Sequence, residues 1–362
     1  MIYGKDGEEL SAVYDINGEV LAKAYDIDGE ELDIDIPVTP LTWNMSEDYK
    51  ARVLDALDEI KAYKAENEGS YALCQFNDVH TVFSGNEPNF IDYNKGYKAI
   101  DYMIFLGDMV NNSNATQYTN AMAYMAGASA SKKIIGMGNH EYQSYSSANG
   151  DPEALYRSVM NIEPTYMSGV NALIYYYDDA NLGVRFIVLD YFYITKSHAD
   201  NAHVLDAAQL NWLASALASA GSKDVIICAH SMLNPFTVVR TLAERSSSAT
   251  IDDQQDIIDV VNAFIDCDTY SVTVDGTVNT YDYSGCTGEF VMYTSGHYHI
   301  MGHTDSFGFN MFTCPARKGT SANLEQGFTF YLINPSAKSI KVFEPCSDAE
   351  YESHEYTYGG TS

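Results

Sequence analysis

Five short blocks, in one order along 362 residues, hold the side chains best suited to chemistry. They are Asp78-Val79-His80, Gly107-Asp108, Gly138-Asn139-His140-Glu141, a lone His230, and Gly296-His297-Tyr298-His299. Asp78, His80, Asp108, Asn139, His230, His297 and His299 offer oxygen and nitrogen ligands enough for two neighbouring divalent ions. His140 stands beside them as a spare histidine. Metal-assisted cleavage of a phosphate ester requires such a set. Carboxylate, imidazole and amide donors together suit Mn, Fe or Zn, and a bridging carboxylate holds two such ions about 3.5–4 Å apart. Singly, each block has a plainer reading: a satisfied structural histidine, a chance Gly-Asp, or an Asn139 that caps a helix. Jointly and in order, they argue for one site.

The elements that must position these side chains are legible as short apolar runs. Strands are expected at Tyr71–Phe76, Tyr102–Leu106, Lys133–Met137, Arg185–Leu189, Asp224–Ala229, Phe290–Thr294 and Phe328–Ile333, with helices near Asp206–Ser219 and Ile251–Ile265. Nearly continuous apolar strands belong to sheets covered on both faces, so the core is expected to be a layered α/β fold. Every candidate ligand falls just beyond the C-terminal end of a strand, the edge where open α/β sheets bind ligands. On an extended segment residues i and i+2 share a side, which would aim Asp78 with His80, and His297 with His299, at one cluster. Gly107, Gly138 and Gly296 permit tight turns or close backbone approach.

Composition narrows the partners. The net charge is −30, a field that repels nucleic acid, which needs basic grooves, and anionic membrane surfaces. Residues 1–36 alone hold eleven acids against Lys5 and Lys23. No signal peptide is visible, and no apolar run is long enough to span a bilayer. Of the six cysteines, no two have Cys-x-x-Cys spacing, so neither a zinc knuckle nor a thioredoxin-like site is supported. Free thiols fit a reducing compartment, and a Cys267–Cys286 pairing stays open. His198, His203 and His354 have no spacing argument and are expected at the surface. His303 is expected to be structural, or a support behind the ligands. The 29 tyrosines are expected mainly in the core, with a carbohydrate or protein contact as the alternative.

Four regions are expected. In residues 1–38, Tyr3, Tyr14 and Tyr25 recur every eleven residues, as do Gly7, Gly18 and Gly29, each after Asp6, Asn17 or Asp28. Asp-Gly and Asn-Gly between alternating segments signal hairpins, so this is an acidic β-hairpin repeat for attachment or oligomerisation. Residues 39–70 form a linker and a connector helix begun by Ser46. Residues 71–346 carry the five blocks, and 347–362 are a polar tail.

The blocks resemble the calcineurin-like metallophosphoesterase superfamily, the binuclear metallophosphatases, whose pattern is Asp-x-His, Gly-Asp, Gly-Asn-His-Asp/Glu, a lone His, and Gly-His-x-His. Leu205-Asp206-Ala207-Ala208-Gln209-Leu210-Asn211-Trp212-Leu213 is similar to the family's Gln-x-x-Trp-Leu helix, with Val188-Leu189-Asp190 before it. The resemblance spans about Tyr71 to Phe343. It implies a four-layer α/β/β/α sandwich. It also implies one metal held by Asp78, His80, Asp108 and His299, and another by Asp108, Asn139, His230 and His297. A metal-bridging hydroxide would attack phosphorus in line, while His140 stabilises phosphoryl oxygens and protonates the leaving alkoxide. In many members an acid three residues after the bridging aspartate orients that histidine. Here the position is Asn111, counted with His140 as catalytic, whose amide oxygen would accept the imidazole N–H without a charge.

The function these expectations describe is a metal-dependent phosphoesterase acting on a small or polymeric phosphate ester, mono- or diester. The alternative rests on residues 1–38, which loosely resemble acidic hairpin repeats of phage structural proteins. It makes the chain a virion or cell-surface component with an accessory or inactive phosphoesterase domain. On either reading, residues 1–38 would serve a homo-oligomer or a virion or surface partner, and the expected location is cytoplasmic or virion-associated.

Overall fold

The computed structural model describes residues 47–80, 99–127, 132–142, 152–196, 203–233, 254–299, 301–315, 328–345 and 353–359, together with four two-residue strands near the N-terminus. Those strands lie in a separate unit, Met1–Thr42. β1 (Ile2–Tyr3) pairs with β2 (Glu9–Leu10), and β3 (Ala24–Tyr25) with β4 (Glu31–Leu32), both antiparallel. These pairs flank Asp6-Gly7 and Asp28-Gly29. The turns themselves and the middle repeat lie outside the described residues.

The second unit, Trp43–Ser362, is built on strands buried on both faces. β5 (Tyr71–Phe76), β6 (Tyr102–Leu106) and β7 (Lys132–Gly136) run parallel, and antiparallel β17 (Phe328–Asn334), β18 (Ser339–Phe343) and β19 (Ser353–Thr357) extend them into a six-stranded sheet ordered β19-β18-β17-β5-β6-β7. A seven-stranded sheet has the order β15-β16-β14-β11-β10-β9-β8. Its members are β8 (Thr165–Tyr166), β9 (Tyr175–Asp179), β10 (Val184–Leu189), β11 (Asp224–Ala229), β14 (Phe290–Ser295), β15 (Gly302–Thr304) and β16 (Met311–Thr313). β10, β11, β14 and β16 are parallel.

The two sheets pack face to face, and tyrosines stitch them. Tyr175 Oη accepts from Ile135 N at 2.8 Å and donates to Ile135 O at 3.0 Å, and the Tyr102 and Phe186 rings lie 4.7 Å apart. Tyr102, Tyr142, Tyr156, Tyr175 and Tyr293 are fully buried with hydroxyl partners, as buried phenols require.

Helices cover the outer faces. α1 (Glu47–Glu66) reaches the six-stranded sheet through Tyr63, whose hydroxyl accepts from Asn334, and through Lys64 on Asp101 at 2.5 Å. α2 (Ala115–Gly127) sets Tyr124 edge-on to Phe76 and Phe105. α3 (Pro152–Arg157) is short. α4 (Ala207–Ala218) and α5 (Gln254–Ile265) cover the seven-stranded sheet, where Leu213 and Leu217 join Ile187, Val225, Ile227 and Val261 in one core. Asp206 caps α4 by accepting from Gln209 N at 2.8 Å. The result is the expected α/β/β/α sandwich. Among the described residues, no helix is long and apolar enough to cross a membrane.

Two elements depart from the sequence reading, and one open question is answered. The polar tail is in part a strand: β19 pairs along β18, Tyr356 packs on His303 at 4.0 Å between ring centroids, and Tyr358 is buried. The charged residues of β19 face solvent while its backbone satisfies the edge of β18. A hairpin of β12 (Thr269–Val274) and β13 (Thr277–Asp282) was not anticipated. Its turn residues Asp275 and Gly276 have φ of 49° and 78°, as a type I′ turn demands, and Tyr281 ties it to Asn211 of α4. Cys267 and Cys286 are both free thiols.

Candidate metal centre

The ligand loops leave the strand ends in a conformation the sequence did not suggest. Asp78, His80, Asp108, His297 and His299 have φ of 53°, 48°, 53°, 70° and 62°. They are left-handed, not extended, so the expected i, i+2 alternation does not apply. Residues with a Cβ populate this region sparsely, at a cost of roughly 1–3 kcal/mol each. The loops hold one another there: Asp78 N–H donates to Gly107 O at 3.1 Å, and His80 N–H to Asp108 O at 2.8 Å. Close approach needs bare backbone. A Cβ on Gly138 would lie 2.3 Å from Asp108 Oδ1, and one on Gly296 would lie 2.6 Å from Asn77 Nδ2.

All seven expected ligands and His140 converge. Three groups of side chains each bring ligand atoms within 4.8 Å of one another: Asp78, His80 and His299; His80, Asp108 and His140; and Asp108, His230 and His297. Asp108 lies between the outer groups, its Oδ2 3.8 Å from His80 Nε2 and 3.4 Å from His230 Nε2. Asp78 Oδ1 lies 3.2 Å from His299 Nε2. His140 Nε2 is 3.9 Å from Asp108 Oδ2, and 22% of the side chain is exposed against 3% for His80. His140 and His299, the latter 18% exposed, are thus more open to solvent than His80 and His230.

The donor set fits a cation. His230 donates its Nδ1 proton to Leu106 O at 2.6 Å, so its Nε2 carries the lone pair when the ring is neutral. That nitrogen faces Asn139 Oδ1 at 3.2 Å, His297 Nδ1 at 3.1 Å and Asp108 Oδ2. His80 Nε2 and His299 Nε2 likewise face each other at 3.2 Å. Converging lone pairs repel unless positive charge sits among them. The electrostatics agree. Burial disfavours ionised Asp78, yet His299 and His230 override it and hold its carboxyl at about 2. Asp108 is also held well below the ordinary range, against burial, chiefly by His230. Burial disfavours the charged form of His230 too, but Asp108 and Asp78 raise it to about 10. Burial lowers His80 to about 4 and, with His230 and His203, lowers His297 to about 3. The pocket thus favours positive charge beside two buried carboxylates while keeping two imidazoles neutral, as metal ligands must be.

Several supports were not visible in the sequence. Asn77 Nδ2 donates to Asp78 Oδ2 at 2.6 Å and is itself held by Gln75 at 2.9 Å, which also bonds Ser295 O and Thr294 Oγ1 across the sheet interface. A lone glutamine inside an apolar strand was the available signal. Glu141 is fully buried and accepts from the main-chain N–H groups of Asp108, Met109, Val110 and Gly138 and from Tyr156 Oη. Burial and then Asp108 push its carboxyl up to about 7, against hydrogen bonds from Gly138 and Asp108 that favour the ionised form. Gln209 pairs twice with the Asp190 main chain at 3.0 Å, which explains the glutamine in the Gln-x-x-Trp-Leu segment.

Other placements correct the reading. His203 is not a surface residue: it is fully buried, bonded to Ser231 Oγ, with its ring 4.9 Å from that of His297. Asn111 meets His140 through its main-chain carbonyl, which accepts from Nδ1 at 2.8 Å, and not through its amide side chain. His303 bonds Asn310 and packs on Phe312 and Tyr356, a structural role. His354 is exposed on β19, and His198 lies outside the described residues.

A family model described as calcineurin-like phosphoesterase matches residues 72–304. Among curated proteins, none matches the sequence. Solved structures with a similar fold include a purple acid phosphatase from yellow lupin (Lupinus luteus) seeds, at 14% identity and TM-score 0.48, covering 80% of this chain and 54% of that one. GAP50, described as the anchor in the inner membrane complex of Plasmodium, aligns at 11% identity and TM-score 0.46, covering 81% and 90%. A putative 5′-nucleotidase from Staphylococcus aureus aligns at 12% identity and TM-score 0.42, covering 80% and 53%. The chain spans about half the length of the lupin and staphylococcal proteins.

Proposed function

The chain belongs to the calcineurin-like phosphoesterase family, and on that premise we propose that it hydrolyses phosphate esters with two divalent ions and His140 as general acid. The observation that carries this reading is Asp108 Oδ2, set 3.8 Å from His80 Nε2 and 3.4 Å from His230 Nε2, between two groups of ligands. Asp78, His80, Asp108 and His299 would hold one ion, and Asp108, Asn139, His230 and His297 the other. Such ions, when bound, supply Lewis acidity toward phosphoryl oxygens and an activated water at neutral pH. The N and O donor set suits Mn, Fe or Zn.

The chain's own residues do the rest. Asn77 and Gln75 orient Asp78, and Glu141 clamps the loops that carry Asp108 and Asn139. His140, fixed at Nδ1 by Asn111 O, presents Nε2 to the substrate, where it stabilises phosphoryl charge and gives a proton to the leaving oxygen. The charge of −30 favours small or flexible mono- or diesters over nucleic acid. The first test is metal analysis of the purified protein, paired with turnover of p-nitrophenyl phosphate and bis-p-nitrophenyl phosphate with Mn added. Two ions per chain and metal-dependent turnover are expected. A metal-free protein that neither takes up Mn nor hydrolyses either ester refutes the reading.

Residues 1–38 we assign to attachment, to a second copy or to a virion or surface partner. Supporting this are the separate unit and its two pairs of two-residue strands, since an isolated two-stranded hairpin is marginally stable at best. Deleting them should change the assembly state seen by light scattering and leave turnover intact. A deletion that changes turnover and leaves assembly as it was refutes the assignment.

A further inference from the structure

We propose that Gln117 is a positioning residue for His140, acting through the peptide group between Asn111 and Asn112; the inference rests on the general-acid reading of His140. The carbonyl oxygen that holds His140 Nδ1 at 2.8 Å belongs to the same peptide unit as the Asn112 N–H. Gln117 Oε1 accepts that N–H at 2.7 Å and the Asn111 N–H at 2.9 Å. A trans peptide is planar, with its N–H and C=O pointing opposite ways. Gripping the N–H therefore fixes the direction of the C=O, and so the plane of the imidazole that bonds it. The bond to the N–H also polarises the carbonyl and strengthens it as an acceptor.

The local sequence explains why Gln117 can do this. Asn114 precedes α2, and its Oδ1 accepts Gln117 N–H at 3.0 Å, which places residue 117 in the first turn. A glutamine there usually reaches back to the N–H of the capping residue. Here it reaches past the cap to two earlier N–H groups, in a turn tightened by Ser113 at φ 47°. Ser113 Oγ also donates to the main-chain carbonyl of His140. His140 is thus held at its ring and at its backbone by residues 111 and 113, and Gln117 fixes the ring contact. A neutral carbonyl orients the imidazole without adding charge, so alignment is what it contributes.

The test compares leaving groups. A general acid matters for an alkoxide and little for p-nitrophenolate, which leaves unaided. Turnover of p-nitrophenyl phosphate and ethyl phosphate, or of the corresponding diesters, is measured for the Mn-loaded wild type, Gln117→Ala and Gln117→Glu. In Gln117→Ala the ratio of alkyl to aryl kcat should fall about tenfold, a fraction of the ~10²–10⁴ a general acid supplies. Gln117→Glu, which keeps an acceptor oxygen, should restore the ratio to within about twofold. Partial unfolding lowers both rates together and cannot mimic a changed ratio. In a His140→Ala background the ratio should no longer respond to Gln117→Ala. An alkyl-to-aryl ratio equal in wild type and Gln117→Ala overturns the inference alone. No metal-dependent turnover of any ester by the wild type overturns the phosphoesterase reading and this inference with it.

Discussion

Replacing Glu141 by glutamine tests how the centre is held together. The two are nearly isosteric, so packing is preserved and only hydrogen bonding changes. Glu141 Oε2 accepts Asp108 N–H at 2.7 Å and Gly138 N–H at 2.8 Å; Oε1 accepts Met109 N–H at 2.8 Å, Val110 N–H at 3.2 Å and Tyr156 Oη at 3.0 Å. Glutamine has one acceptor oxygen and one NH2. Its better placement keeps the oxygen at Oε1 and turns the NH2 toward Asp108 and Gly138. Two buried N–H groups then face a donor. Each unsatisfied group costs about 1–3 kcal/mol, so the variant should lose roughly 2–6 kcal/mol. That is a large share of the ~5–15 kcal/mol that stabilises a typical domain. The same two N–H groups belong to the loops carrying Asp108 and Asn139, so the damage should also appear in metal affinity. Urea unfolding followed by circular dichroism gives the first quantity, and Mn titration by calorimetry gives the second. A Glu141→Gln protein within about 1 kcal/mol of wild type, with unchanged Mn affinity, refutes the clamp.

Other outcomes follow from the same geometry. Gly138→Ala puts a Cβ 2.3 Å from Asp108 Oδ1 and 2.6 Å from Asp108 N, so it should weaken Mn binding at least about tenfold and destabilise by about 1–3 kcal/mol; calorimetry with wild-type affinity contradicts this. Stripping divalent ions with a chelator should lower the melting temperature, and Mn should restore it, because ligand at about 100 times its Kd adds about 2.7 kcal/mol; an unchanged melt refutes it. Burial raises the Asp178 carboxyl, but Arg185, bonded at 2.6 and 2.7 Å, overrides this and holds it below the usual range. Its folded pKa is lowered, so its stabilisation is present above the ordinary carboxylate pKa of about 4 and is lost as pH falls through the folded value. Asp178→Asn should therefore cost about 1–2 kcal/mol at pH 7 and less at pH 3, and a pH-independent difference in melting refutes the pair.

The strands and the candidate ligands that converge were legible because they depend on local pattern. Runs such as Tyr102–Leu106 and Val225–Ala229 are buried throughout because both faces are covered, and five blocks at strand ends point to one edge. The β12–β13 hairpin was missed although Asp275-Gly276 is the same signal used for the N-terminal repeat. Its first strand, Thr269-Tyr270-Ser271-Val272-Thr273-Val274, alternates polar and apolar residues, with Tyr270, Val272 and Val274 packed on the core beneath α4 and α5, so the signal was present. β19 was missed because an edge strand exposes its side chains and needs no apolar pattern.

What the sequence determined by itself was the chemistry available: seven candidate ligands, one spare histidine, and glycines where backbones must touch. These follow from residue type and order. Only the tertiary structure decided how they act. Left-handed ligand positions, the Glu141 clamp, the burial of His203 against His297 and the main-chain grip of Asn111 on His140 each join residues from different loops. Main-chain donors and acceptors are alike at every residue but proline, so no sequence pattern marks which of them a distant side chain will find.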